Sequence, residues 1–121
     1  MRADAVRRFA LSLPEAEERE TWGTATFRVR SKIFTMFSEQ ERHAWVKSTF
    51  DEQRALVAMV PDTFFVPPYV GPSGWIGVVI SKVDTGEMRE LVTEAWRMRA
   101  PRELVDELDA GRPDLPSAVA P

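Results

Sequence analysis

The sequence contains no cysteine and a single histidine, His43, among its 121 residues. Disulfides, thiolate nucleophiles and cysteine-ligated metal ions are therefore excluded, and nothing argues for an oxidising compartment. His43 lies where a charged turn meets a strand-like segment, and no acidic residue is placed to form a catalytic triad with it. We expect a solvated structural histidine, and a protein without enzymatic activity or a cofactor.

The sequence also lacks the long apolar run of a membrane span. Among the first twenty residues, Asp4, Arg7 and Arg8 interrupt the apolar positions, which does not fit a signal peptide or a transmembrane helix. We therefore expect a cytoplasmic protein that binds no membrane, and we expect it to be a monomer.

The chain lacks a net positive charge, since its formal net charge is −3. Proteins that bind nucleic acid over a large surface are usually strongly basic. The charge is unevenly distributed, however. Segment 22–48 holds five Lys or Arg residues against two Glu, whereas segment 15–20 holds four Glu against one Arg. Most of these side chains are expected on a solvated surface.

The length and composition indicate one domain. With 44% hydrophobic residues the chain can bury a continuous core, and we predict a single domain over residues 1–109. Segment 110–121 has few large apolar side chains and is predicted to be a frayed tail.

Residue patterns predict eight elements. Four segments carry apolar residues at helical spacing, and they follow Asp4, Thr49, Asp84 and Pro101. Asp4 is predicted to cap the first helix, and Thr49 and Asp84 each precede a glutamate by three residues, as in a capping box. Four further segments have strand-like alternation or β-branched composition: TFRVR, SKIFTMF, HAWVKST and WIGVVIS.

The predicted order is α-βββ-α-β-αα, which indicates an α+β fold. Short connections between the first three strands favour an antiparallel sheet, consisting of a meander plus one further strand. Helices with a single apolar stripe then pack on one face of that sheet. We expect Arg28 and Arg30 on the uncovered face, because they alternate with apolar residues, and Trp45 and Lys47 share one face of their strand.

An aromatic and proline-rich loop precedes the last predicted strand, in the stretch FFVPPYVGPSGWIGVVI. Pro67 and Pro68 restrict the backbone and are expected to present Tyr69 in a preorganised loop. Trp75 has two interpretations: it closes the end of the core, or it is an exposed contact for a base or a partner. Both stay open at this point.

Several stretches together resemble the YjbR/MmcQ family of small bacterial proteins. They are WGTATFRVRSKIFTMF, WVK, FFVPPYVGPSGWIGVVIS and EMRELVTEAWRMRAP, and the resemblance extends from the first helix to Leu108. It implies a CyaY-like (frataxin-like) fold, in which an antiparallel sheet is layered with helices. It also implies DNA binding and assigns no catalytic residue.

The first functional hypothesis is a non-enzymatic module that binds nucleic acid, specifically DNA, through the uncovered sheet face and the 64–76 loop. Cations would contact phosphates and aromatic rings would stack on bases. The candidate phosphate contacts are Arg28, Arg30, Lys32 and Lys47. The candidate stacking residues are Trp45, Tyr69 and Trp75.

The alternative hypothesis concerns the acidic segment 15–20. By analogy with the frataxin-like fold, its four glutamates would hold a hard cation or face a basic protein partner. A solvated acidic surface is the simpler interpretation of the same residues.

Overall fold

The computed structural model describes residues 1–111, with the side chain of Glu39 excepted. Most of the predicted C-terminal tail, residues 112–121, lies outside the described residues. Within the described part no helix is both long and apolar enough to span a bilayer.

Four helices and six strands form an α+β fold, in the order α-ββββ-α-ββ-αα. The helices are α1 Ala3–Leu11, α2 Phe50–Met59, α3 Thr85–Arg99 and α4 Arg102–Ala110. The strands are β1 Ala16–Thr21, β2 Thr24–Val29, β3 Lys32–Phe37, β4 His43–Val46, β5 Phe64–Phe65 and β6 Ile76–Val79. The α+β class and all eight predicted elements are confirmed, and two strands were not predicted.

The strands form one open sheet in the order β1-β2-β3-β4-β6-β5, and every neighbouring pair is antiparallel. The edge strand β1 was not predicted, because its sequence AEERET lacks the apolar alternation of a half-buried strand. Its backbone pairs with β2 from Ala16↔Val29 to Thr21↔Thr24. Charged side chains on an edge strand discourage pairing with another chain, so this composition suits its position.

Two of the three predicted helix caps are present. The Thr49 hydroxyl accepts a hydrogen bond from the Glu52 amide, and the Asp84 carboxylate accepts one from the Glu87 amide, both at 3.2 Å. Asp4 is not a cap. It lies inside the first turn of α1, where its carboxylate pairs with Arg8 at 3.3 Å.

Helices α1, α3 and α4 cover one face of the sheet and bury a single core with it. A bulge between β2 and β3 follows Phe27, and it leaves both Phe34 and Thr35 fully buried. Helix α2 adds only the partly buried Leu56 and Val57 at the margin of the core. The opposite face of the sheet, here called the open face, carries no helix from the described part of the chain.

Candidate functional site

The open face is apolar in its central and β5-side part. Strand register places Met36, Trp45 and Gly77 in one row across β3, β4 and β6. Phe65 of β5 pairs with Gly77, and a Cβ added to that glycine would lie 2.3 Å from the Phe65 ring. The His43 ring packs edge-on against Phe65 at 4.9 Å. Phe65 thus covers the sheet where Gly77 leaves room.

A cleft of about 780 Å³ lies on this face, next to Trp45. Met36 and Trp45 come from the sheet, Trp22 comes from the β1–β2 turn, and Tyr69 and Val70 come from the proline-rich loop. We call this the aromatic cleft. Its volume falls in the range of typical ligand-binding pockets.

The aromatic cleft is flanked by the two most exposed aromatic side chains. Trp22 is 97% exposed and Tyr69 is 92% exposed. Both residues have a left-handed backbone, with φ of 52° and 66°. For a bulky side chain such a backbone costs about 1–3 kcal/mol, and neither ring recovers this cost by burial. Strain without a packing benefit points to a functional reason for the aromatic ring.

Among the predicted phosphate contacts, Arg28 lies on β2. Its side chain is on the open face of the sheet. Its guanidinium donates to the hydroxyls of Thr21 and Thr26 at 3.1 and 3.3 Å, and to the Ser31 carbonyl at 3.3 Å. Within the described residues it forms no ion pair with a carboxylate. Neutral groups therefore hold the guanidinium in place, and an anion can pair with it.

Lys47 and Arg99 form a second region of positive charge, where α3 ends beside β3 and β4. Lys47 Nζ donates to the Ser73 carbonyl at 2.8 Å, and Arg99 Nε donates to the Ile33 carbonyl at 3.0 Å. Burial lowers the pKa of Lys47, and the neighbouring Arg99 guanidinium lowers it further. No carboxylate of residues 1–111 pairs with either side chain, so a bound anion would relieve their mutual repulsion.

Arg30 and Lys32 do not join this group. Arg30 lies in the β2–β3 turn, where Glu15 pairs with it and raises its pKa, with Glu103 of α4 adding a smaller effect. Lys32 pairs across the sheet with the core-facing Val29, which places it toward the helices. The expectation that Arg30 projects freely from the open face is therefore corrected.

Trp75 is 4% exposed and lies under the Arg99 guanidinium, which is 6.0 Å from its ring centre. It closes the core, so the expectation of an exposed stacking surface at Trp75 is corrected.

Of the candidate residues, the structure brings Trp45, Tyr69, Arg28 and Lys47 to the open face. Trp22, Met36 and Arg99 were missed: Trp22 follows the unpredicted β1, and Arg99 comes from a distant helix.

The acidic segment 15–20 contains most of β1 and is largely paired with arginines. Glu15 pairs with Arg30, Glu17 pairs with Arg19 at 2.6 Å, and Glu18 pairs with Arg7 at 3.1 Å. Among the described residues no group of three or more His, Asp or Glu side chains is arranged to hold a metal ion. The segment is thus a charged sheet edge.

Comparison with known proteins places this architecture among uncharacterised relatives. Mb2600 of Mycobacterium bovis and Rv2570 of Mycobacterium tuberculosis, both named as uncharacterized proteins, are each 35% identical to this chain over 51 residues. The match spans 42% of this chain and 40% of each relative.

A solved structure shares the fold. The crystal structure of Deinococcus radiodurans protein DR2400, described by the family-model domain DUF419, matches with a TM-score of 0.71 and 16% sequence identity. The match covers 78% of this chain and 75% of that one. A model of the family described as YjbR matches residues 11–98, in agreement with the resemblance noted in the sequence. The chain therefore belongs to the YjbR family.

Proposed function

We propose that this protein is a non-enzymatic module that binds nucleic acid, DNA in the first instance, on the open face of its sheet. The observation that carries the proposal is the aromatic cleft, where Trp22 and Tyr69 are almost fully exposed despite a strained backbone. Exposed aromatic rings stack on bases with little dependence on sequence, because every base has an aromatic face.

Three cations outside the lining of the aromatic cleft support the same proposal. Arg28, Lys47 and Arg99 are half-buried, are held by hydroxyl or carbonyl groups, and have no carboxylate partner among the described residues. Phosphate contacts of this kind position a nucleic acid, while aromatic contacts engage its bases. A small basic region suffices for a short contact even though the net charge is −3.

Three further properties are proposed: the fold type, the oligomeric state and the cellular location. We propose that the fold is frataxin-like, as the family resemblance implies, and the antiparallel sheet with helices on one face supports this. A strand-by-strand superposition on frataxin structures tests it. We also propose a monomer located in the cytoplasm, for which sedimentation and cell fractionation are the direct tests.

Fluorescence anisotropy with labelled DNA tests the function. We expect binding at low salt that weakens as salt is added, with a slope of log K against log salt of about −2 for three phosphate contacts on a single strand. Arg28→Gln should reduce the slope by about 0.7, because one contact is lost. Arg30→Gln is the matched control and should leave the slope unchanged, since Arg30 is already paired with Glu15.

Either of two results would contradict the proposal. One is the absence of binding at low salt to single-stranded and double-stranded DNA alike. The other is an Arg28→Gln variant that binds as the native protein does while Arg30→Gln does not.

A further inference from the structure

We infer that unpaired bases stack on Trp22 and Tyr69 at the aromatic cleft, so that the open face binds single-stranded DNA in preference to duplex DNA. This inference rests on the proposed function and adds the form of nucleic acid to it. Trp22 comes from the β1–β2 turn and Tyr69 comes from the loop after β5, and the strands that carry Met36 and Trp45 lie between these two parts of the sheet.

Both rings are mounted on ordered backbone. Trp22 and Gly23 form a two-residue turn between β1 and β2, and the Thr24 hydroxyl donates to the Thr21 carbonyl across it at 2.8 Å. Tyr69 lies between Pro67 and Gly71, and the Gly71 amide donates to the Pro67 carbonyl at 3.0 Å. These hydrogen bonds fix the backbone from which each ring projects, so binding of a base does not have to order the two turns.

Trp45, which lines the aromatic cleft, carries a hydrogen-bond donor that is unsatisfied within the described residues. Trp45 Nε1 is buried and has no partner among residues 1–111. A buried donor without an acceptor is costly, and bases carry carbonyl oxygens and ring nitrogens that accept hydrogen bonds. The nitrogen is not exposed in the aromatic cleft, so a base can accept this hydrogen bond only if the Trp45 side chain moves on binding.

Duplex DNA does not offer what the aromatic cleft requires. In a duplex the faces of the bases stack on one another, and a protein reaches only their edges in the grooves. In a single strand the faces are accessible for stacking on aromatic side chains. Lys47 follows Trp45 by two residues, about 7 Å along an extended chain, so the phosphate next to a bound base can approach Lys47.

The test compares three labelled 12-mers in anisotropy titrations at one low salt concentration: a thymidine strand, an abasic strand with the same phosphates, and a duplex. We expect the thymidine strand to bind about 5- to 100-fold more tightly than the other two. Trp22→Ala and Tyr69→Ala should abolish most of this preference, and Tyr69→Phe should keep it because the ring remains. Met98→Ala is the control, since Met98 is an exposed apolar residue on the helix side.

The outcomes separate the two proposals. If all three 12-mers bind equally, or if the duplex binds most tightly, the inference is wrong and the proposed function stands. If none binds, the proposed function fails and the inference fails with it. Thermal unfolding of each variant confirms that a lost preference does not come from a lost fold.

Discussion

Trp22 is the residue at which the proposed DNA binding and the stability of the fold favour different side chains. In a two-residue hairpin turn with positive φ at both positions, Asn-Gly is the favoured sequence, and here Trp-Gly occupies the turn. We expect Trp22→Asn to raise the free energy of unfolding by about 0.5–1 kcal/mol, while it weakens DNA binding. Urea denaturation and anisotropy on the same preparation measure both effects. A Trp22→Asn protein that is less stable than the native one would show that Trp22 has a packing role.

Tyr69 and Trp75 should respond to truncation in opposite ways. Tyr69 is exposed, so Tyr69→Ala should leave the melting temperature nearly unchanged while weakening binding. Trp75 closes the core, so Trp75→Ala should cost about 3–5 kcal/mol. Thermal melts of the two variants distinguish the roles without any ligand. If Tyr69→Ala destabilises the fold as strongly as Trp75→Ala does, the loop is a packing element and presents nothing.

The loop that presents Tyr69 is anchored to helix α2. Gln53 is buried, and its side-chain amide donates to the carbonyls of Gly71 and Trp75 at 3.0 and 2.6 Å. Gln53→Leu leaves both carbonyls without this partner and should cost about 1–3 kcal/mol. It should also speed hydrogen exchange in residues 66–75 and weaken binding, since Tyr69 is no longer held in place.

Arg54→Ala provides the matched control for Gln53→Leu. Arg54 is the next residue of α2 and is exposed, and within residues 1–111 its one ion pair is with Asp51 on the same helix. It should leave hydrogen exchange in the loop unchanged. Equal exchange rates in the Gln53→Leu and native loops would show that α2 does not determine the position of the loop.

The elements predicted from the sequence are those whose pattern reflects burial on one side. The capping pairs at Thr49 and Asp84 and the apolar periodicity of α3 are local signals, and the structure confirms them. Strand β1 carries charged residues on both faces, so only its pairing with β2 makes it a strand. Because β1 was not predicted, the β1–β2 hairpin that exposes Trp22 was not predicted either.

The candidate site was predicted only in part, for the same reason. Trp45, Lys47 and Tyr69 could be proposed from strand alternation and loop composition. Whether a tryptophan is exposed, as Trp22 is, or buried, as Trp75 is, depends on contacts between elements that no local pattern encodes. Arg99 meets Lys47 only because α3 ends beside β3 and β4.

At the scale of the whole molecule, the two faces of the sheet differ in charge. On the helix side, Glu52, Glu87, Glu90 and Glu94 line a groove between α2 and α3. Arg28 on the open face has no carboxylate partner among the residues described, and neither have Lys47 and Arg99 at the end of α3. We expect the acidic groove to repel a polyanion, so that a nucleic acid approaches the molecule from the open face.

The most direct test of this account is a titration of the isotope-labelled protein with a single-stranded oligonucleotide, observed by NMR at the indole N–H groups. The protein has four tryptophans, and the indole of Trp96 donates to the Pro14 carbonyl on the helix side. We predict that the Trp22 and Trp45 indole signals shift progressively while the Trp96 signal does not. The Trp22→Asn spectrum identifies the Trp22 signal by its absence. Indole signals that all stay in place at saturating oligonucleotide, or a shift at Trp96 without one at Trp22, would contradict the account.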